Sequence, residues 1–251
     1  MYKYFFQLLF VRRAIIISAL TLCIICSSIY STAQNTPSTK KLHPLIEYAE
    51  QVLGSDSRLV AGTIYQNKYY NAKGTPYFMG SEWLTGTIYV KGIPFKNTDF
   101  KYNLQSDKII LKVQSDDGNT KHLVLNDHFV DSVEIAHIKL LNARLTNSLT
   151  LKGYFELICN GKTQAYRKHR IRLKETLTSD SKKLKFLPQD PILYLVRDGI
   201  SKPIYGKKDL LNYFYPIKKE VKKYMTEQKI NLKTASKIQL FSLIKYCDEI
   251  S

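Results

Sequence analysis

The densest run of residues able to do chemistry is Arg167-Lys168-His169-Arg170, extended by Arg172 and Lys174. On an extended strand successive side chains point to opposite faces. Lys168, Arg170, Arg172 and Lys174 therefore share one face, with Tyr166 in line. Cations interleaved with an aromatic are what a polyanion groove uses: the charges meet the anionic groups and the ring stacks on what lies between them. The same stripe serves equally as a solvated face, or as protection of a sheet edge against pairing with another chain.

Other constellations are weaker. His122, His128 and His137 lie close in sequence, with Asp127 and Asp131 nearby. Metal ligands must converge on one ion, and consecutive strands carry His122 and His137 apart. Asp116-Asp117-Gly118 resembles a fragment of a calcium loop, but the twelfth position is Asp127 rather than a bidentate Glu, and Asn119-Thr120-Lys121 adds no carboxylate. A β-turn is expected there, and no metal site. There is no Gly-x-Ser-x-Gly elbow, and Cys159 lies in an ordinary strand pattern, so no nucleophile is indicated. A phosphate-binding glycine loop is absent, so neither a nucleotide nor any other cofactor is implied. A glycan hydrolase leaves no short motif, because its two carboxylates need only stand roughly 5–9.5 Å apart in space. Glu82, Asp99, Asp131 and Glu134 are the candidates for that alternative.

The elements that must position these residues change period along the chain. His43 to Gly54 has apolar residues at helical spacing, with Pro44 at its start. From Arg58 to about Tyr205 the period is two. Strands are expected at Thr87–Lys91, Phe100–Leu104, Lys108–Val113, His122–Leu125 and Phe129–Ile135, the last two joined by Asn126-Asp127-His128. Asn160-Gly161 is a two-residue hairpin signal. It sets Phe155 opposite Tyr166, Ile158 opposite Thr163 and Glu156 opposite Ala165, with Arg167 as the diagonal neighbour of Glu156 on the same face. A last hairpin joins Ile192–Val196 to Ile200–Tyr205 around Asp198-Gly199, and Thr176 to Lys185 is a loop or the end of a long strand.

After Gly206 the period returns to helical. Lys208–Phe214 forms one helix. Pro216 starts a second, with Ile217, Val221, Tyr224 and Met225 on one face and lysines on the other. Thr234 caps a third with Ile238, Phe241, Ile244 and Cys247 on its apolar face. The second helix is basic and amphipathic enough to lie on an anionic membrane, but its apolar face is narrow and lacks Trp. Docking on the sheet is expected instead. The fold class expected is mainly β with helical ends (α+β): an antiparallel sandwich or open barrel of roughly 8–10 short strands plus a helical appendage. The divisions are 1–33, 34–43, 44–206 and 207–251.

The first of these divisions reads as an export signal. Lys3, Arg12 and Arg13 precede Ala14 to Ile29, which carries no charge, and Ser31-Thr32-Ala33 offers small residues where a signal peptidase reads. Cleavage is expected between Ala33 and Gln34. The alternative is an inner-membrane anchor through residues 14–29. That stretch is sixteen residues, short of the roughly 20 a span needs, and Arg12 and Arg13 would each cost roughly 2.5–3.5 kcal/mol at mid-depth. Gln34 to Lys41 is a polar linker.

The whole chain has 251 residues, 38 Lys+Arg and 21 Asp+Glu. Lys3, Arg12 and Arg13 leave with the leader and no acid does, so the remaining 218 residues carry 35 cations against 21 anions, a charge of +14. Such a charge favours anionic partners: an acidic glycan, a lipid head group or an envelope protein. An exported compartment (periplasm, envelope or medium) argues against nucleic acid. Cys159 and Cys247 alone remain after the leader. An oxidising compartment permits a disulfide between them, and two buried thiols fit the pattern equally.

Motif order adds a resemblance. Pro76-Tyr77-Phe78, Glu82-Trp83-Leu84-Thr85-Gly86, Lys91-Gly92, Phe100-Lys101-Tyr102-Asn103-Leu104, Ser106-Asp107-Lys108 and Val130-Asp131-Ser132-Val133-Glu134-Ile135 follow one another. In the tail stand Lys207-Lys208-Asp209-Leu210-Leu211 and Leu243-Ile244-Lys245-Tyr246. Over residues 60–251 the chain resembles a large bacterial family of exported proteins of unassigned function. It departs from that pattern at Phe100-Lys101, where an apolar-Arg pair is commoner. The resemblance implies an exported β-rich domain with helical ends and carries over no catalytic residue. The function expected is an exported, non-enzymatic module binding an anionic surface, a polymer or another protein. The alternatives are the paired-carboxylate hydrolase and a structural partner in an envelope complex.

Overall fold

Alternation of apolar and polar residues, broken by short turns, produces ten strands in the computed structural model, which describes residues 44–45, 62–114, 119–146, 150–178 and 181–251. They are β1 (Leu84–Val90), β2 (Ile93–Asn103), β3 (Lys108–Gln114), β4 (Thr120–Val124), β5 (Val130–Ile135), β6 (Ile138–Asn142), β7 (Tyr154–Asn160), β8 (Gln164–Thr178), β9 (Ser181–Arg197) and β10 (Ile200–Ile204). All belong to one open antiparallel sheet in the order β10-β9-β8-β7-β6-β5-β1-β2-β3-β4. The mainly β, antiparallel fold expected from the sequence therefore forms. The expected leader, linker, most of the first helix and the Asp116-Asp117-Gly118 turn lie outside the described residues. Leu45, in that helix, is fully buried in the sheet's core. β6 is a strand the alternation did not mark: the turn before it, with Ala136 at φ 50°, contains neither Gly nor Pro.

The sheet curls because of one short connection. β4 is an edge strand, and Asn126-Asp127-His128 does lead to β5, but β5 pairs with β1. In a flat sheet four spacings of about 4.8 Å would separate β4 from β5, close to the full stretch of the chain between them. That stretch contains a turn, in which the Phe129 amide donates to Asn126 O (3.0 Å). Only curling brings the ends together. The Leu125 amide then donates to Ile109 O in β3 (2.9 Å), and the Asn142 side-chain amide donates to Asp127 O (2.8 Å) and Val130 O (2.9 Å). The hollow of the curl is filled by Ile88, Phe100, Tyr102, Leu111, Val133 and Leu140 among others. Each such side chain stabilises by roughly 1.5–3 kcal/mol relative to exposure.

Where β7, β8 and β9 run side by side, the sheet is buried on both faces. One face of β7–β9 packs Phe155, Tyr166 and Val196 with Ala143 and Leu151. The other presents Ile158, Cys159, Ala165, Leu193 and Leu195 to three helices, α1 (Lys207–Tyr213), α2 (Lys218–Glu227) and α3 (Lys237–Ile250). A 3-10 turn at Tyr215–Ile217 starts α2, whose Val221 and Met225 are buried as expected.

Two local expectations are corrected here. The cap of α3 is Ser236, whose hydroxyl accepts from Gln239 N while Gln239 reaches back to Ser236 N, a capping box. Thr234 instead donates its amide to Asn231 O in the preceding turn. The buried face of α3 is Leu240, Leu243, Ile244 and Cys247, and Ile238 and Phe241 are exposed at 77% and 44%.

The β7–β8 hairpin closes through Gly161-Lys162-Thr163, with Asn160 opposite Gln164. Neither Asn160 nor Gly161 takes the positive φ of a two-residue turn. The wider loop is held by α3: Asp248 accepts from Thr163 N (2.8 Å) and from Arg197 (3.1 Å), which also donates to Thr163 Oγ1. The register shifts with it, so Glu156 faces Arg167, Leu157 faces Tyr166 and Cys159 faces Ala165. Asp198-Gly199, with φ 52° and 77°, does form the tight turn into β10.

Candidate functional site

The five residues of the cationic stripe sit on β8 and share one face, yet they divide into two groups. Tyr166 is 2% exposed, packed against Phe155 and Val196. Lys168 turns into the protein, where its Nζ donates to Asp107 (2.7 Å) and to Tyr154 O (3.0 Å). Burial lowers its pKa, and Asp107 acts in the opposite direction. Around it Tyr102 donates to Asp107 and Tyr154 donates to Asp127, which also holds Lys108. Burial and the neighbouring carboxylates push both tyrosine pKa values upward, so the phenols stay protonated. Gly153 lets Asp107 come this close: a Cβ there would stand 1.5 Å from Asp107 Oδ2. Nothing in local sequence marks this network, because Asp107, Asp127 and Lys168 meet only through the curl.

Arg170, Arg172 and Lys174 stay outside. Arg170 donates to Asp190 O (2.8 Å), and Arg172 and Lys174 are exposed. They lie on a ribbon that overhangs the sheet. β7 pairs with β8 only as far as Arg167, and β10 pairs with β9 only from Leu193 onward. Beyond those points β8 and β9 pair with each other to Thr178 and Ser181. The Thr176–Lys185 stretch is thus the end of two long strands. At roughly 3.3 Å per residue the overhang is about 35 Å long.

Pairing then gathers cations that sequence kept apart. Lys174 stands directly opposite Lys185, and Lys185 bridges Lys73 on its other side. The Lys73 amide donates to Leu184 O and its carbonyl accepts from Phe186 N, both at 2.9 Å. Three lysines therefore form a lateral row across three chain segments. Lys183, opposite Thr176, and Arg172, opposite Leu187, flank the row on the same face. All five are exposed, and none forms an ion pair among the described residues. Directly opposed like charges destabilise a ladder. Sequence reasoning found Arg172 and Lys174. It missed Lys73, Lys183 and Lys185, whose only signal is strand register.

The remaining candidates are each engaged singly. Asp99 accepts from Thr85 (2.7 Å) and lies 3.8 Å from Lys112; Asp131 pairs with Arg144; Glu134 takes Lys139 (2.8 Å) and Tyr89 (3.0 Å). Glu82 is exposed. His122 packs on Trp83 at 4.8 Å, His128 lies against Phe129 and His137 is exposed. Lys101 lies over Trp83 (4.6 Å) and Tyr77 (4.7 Å), and burial lowers its pKa. Cys159 and Cys247 are two buried free thiols. Burial raises both pKa values, that of Cys247 to about 12, which suppresses thiolate chemistry. Among the described residues no group of three His, Cys, Asp or Glu is placed to hold a metal ion, and no helix is long and apolar enough to cross a membrane. No family model, curated protein or solved structure matches the chain.

Proposed function

We propose that this protein is an exported binding module that holds an anionic polymer or surface against the β8–β9 ribbon. The observation that carries the reading is the row Lys73–Lys185–Lys174, flanked by Arg172 and Lys183. Exposed like charges in register cost stability, and a bound polyanion offsets that cost by supplying the missing counter-charges and releasing its own condensed ions. Export rests on the leader ending at Ala33-Gln34 and on the resemblance to exported proteins. A binding role rather than catalysis fits Asp99, Asp131 and Glu134, each held by its own cation, and thiols that are buried.

Binding of the protein to polygalacturonate and to phosphatidylglycerol vesicles, followed from about 50 to 500 mM salt, tests the proposal. Affinity falls steeply with salt, and Lys174→Glu with Lys185→Glu lowers it at least about tenfold at 150 mM. Salt-independent binding, or no loss in the double variant, would overturn the assignment of the ribbon.

A further inference from the structure

A cleft of about 410 Å³ opens beside the ribbon, between the segment Thr63–Tyr69 and the β2–β3 turn. Its volume falls in the range of small-molecule sites. Its lining mixes aromatic rings (Tyr65, Tyr69), amides (Gln66, Gln105), a hydroxyl (Ser106) and an exposed cation (Lys68).

That combination matches a charged sugar. Aromatic rings lie against the C–H faces of a pyranose, amides and hydroxyls bond its hydroxyl groups, and a lysine meets its carboxylate. The cleft floor is already organised. Asn103, 5% exposed, accepts from the amides of Gln105 (2.9 Å) and Ser106 (3.1 Å) and donates to Tyr65 OH (3.4 Å), which lies 3.0 Å from Tyr77 OH. Tyr69 is fixed edge-on to Phe186 at 5.8 Å.

Phe186 follows Lys185 on β9, and Tyr69 is joined to Lys73 by a turn in which Ala72 N donates to Tyr69 O (3.0 Å). The cleft wall and Lys73, the first lysine of the row, thus belong to one continuous stretch of chain. Lys185 and Phe186 point to opposite faces of β9, so a ligand on the lysine row reaches the cleft by passing over the segment that holds Lys73.

We infer that the anionic partner is an acidic polysaccharide, with one hexuronic acid ring seated in this cleft and neighbouring carboxylates on the Lys73–Lys185–Lys174 row. The inference rests on the ribbon reading of the preceding subsection and adds the ligand class. A lipid surface presents a comparable charge but no succession of sugar rings.

Titrating the full-length chain with oligogalacturonates of four to six residues, and separately with polyphosphate, decides it. Tyr69→Ala and Gln105→Ala each weaken oligogalacturonate binding about tenfold and leave polyphosphate binding within about twofold, whereas Lys174→Glu weakens both. Gln105 is exposed in its turn, so its replacement keeps the test clear of folding defects. Equal losses on both ligands, no loss from the cleft variants, or binding to phosphatidylglycerol vesicles without binding to oligogalacturonate would overturn the inference. If Lys174→Glu costs nothing on either ligand, the ribbon reading falls as well. If Lys174→Glu weakens both and the cleft variants show no selective loss, only the cleft assignment falls.

Discussion

Glu156 shows how one side chain ties the chain together. It is 1% exposed, and its Oε2 takes Arg167 and His169, both at 2.8 Å. Burial alone would raise its pKa. The hydrogen bonds from His169 and Arg167 overcome that and hold it down at about 2, from 4.5. A carboxylate with a depressed folded-state pKa adds stability that is complete above about pH 4.5 and is lost as pH falls through about 2. A shift of this size is worth about 3 kcal/mol. Urea denaturation of the native chain should therefore lose about that much between pH 5 and pH 2. Glu156→Gln, which strips Arg167 and His169 of their charged partner, should be about 3 kcal/mol less stable at pH 7 and show a shallower acid slope. An equal slope in both proteins would refute the role given to this carboxylate. The expected tight turn sets Glu156 opposite Ala165 with Arg167 diagonal to it on the same face, and the wider loop held by Asp248 moves Arg167 directly opposite.

At the scale of elements, the ribbon carries a conflict between stability and binding. Lys174 and Lys185 are cross-strand neighbours, and an opposite-charge pair in that place contributes roughly 0.2–1 kcal/mol where a like pair opposes folding. Lys174→Glu should raise the urea midpoint slightly while weakening polyanion binding. A variant that loses stability and affinity together would mean that the lysine serves packing. The β8 stripe was legible as alternation, and the Asp198-Gly199 turn as turn chemistry, since both signals are local; the β9 side of the ribbon was not, because Thr176 to Lys185 reads equally as a loop. The phase of α3 was not legible either. A helix bearing Ile238, Leu240, Phe241, Leu243, Ile244 and Cys247 has two plausible apolar faces. The sheet selects the one whose residues fit between Ile158 and Leu195, leaving Ile238 in solvent.

Across the whole molecule, the curled half of the sheet and the helix-covered half share strands without a break, since β6 links β5 to β7. The hydrophobic clusters of both halves should therefore melt together. Trp83, the only tryptophan, lies beside β1 in the curled half, and Leu243 is fully buried under the helices. Leu243→Ala should cost about 3 kcal/mol, with tryptophan fluorescence and far-ultraviolet circular dichroism still changing at one common urea concentration. Separated transitions would show that the helices form an independent layer. The carboxylate network around Lys168 belongs to this scale too: it joins the β2–β3 turn to β8 across the curl, and so had no sequence signature.

By itself the sequence determined an antiparallel, mainly β fold with a helical C-terminal end, and it placed a cationic stripe on one strand. These follow from alternation, turn residues and helical spacing, all of which act over a few residues. Tertiary structure alone decided that β5 pairs with β1, that Tyr166 and Lys168 turn inward, and that Lys73 meets Lys185 and Lys174 from roughly a hundred residues away. Such choices depend on how a ten-stranded sheet curls to bury its hollow, and no stretch of chain shorter than the sheet contains that information.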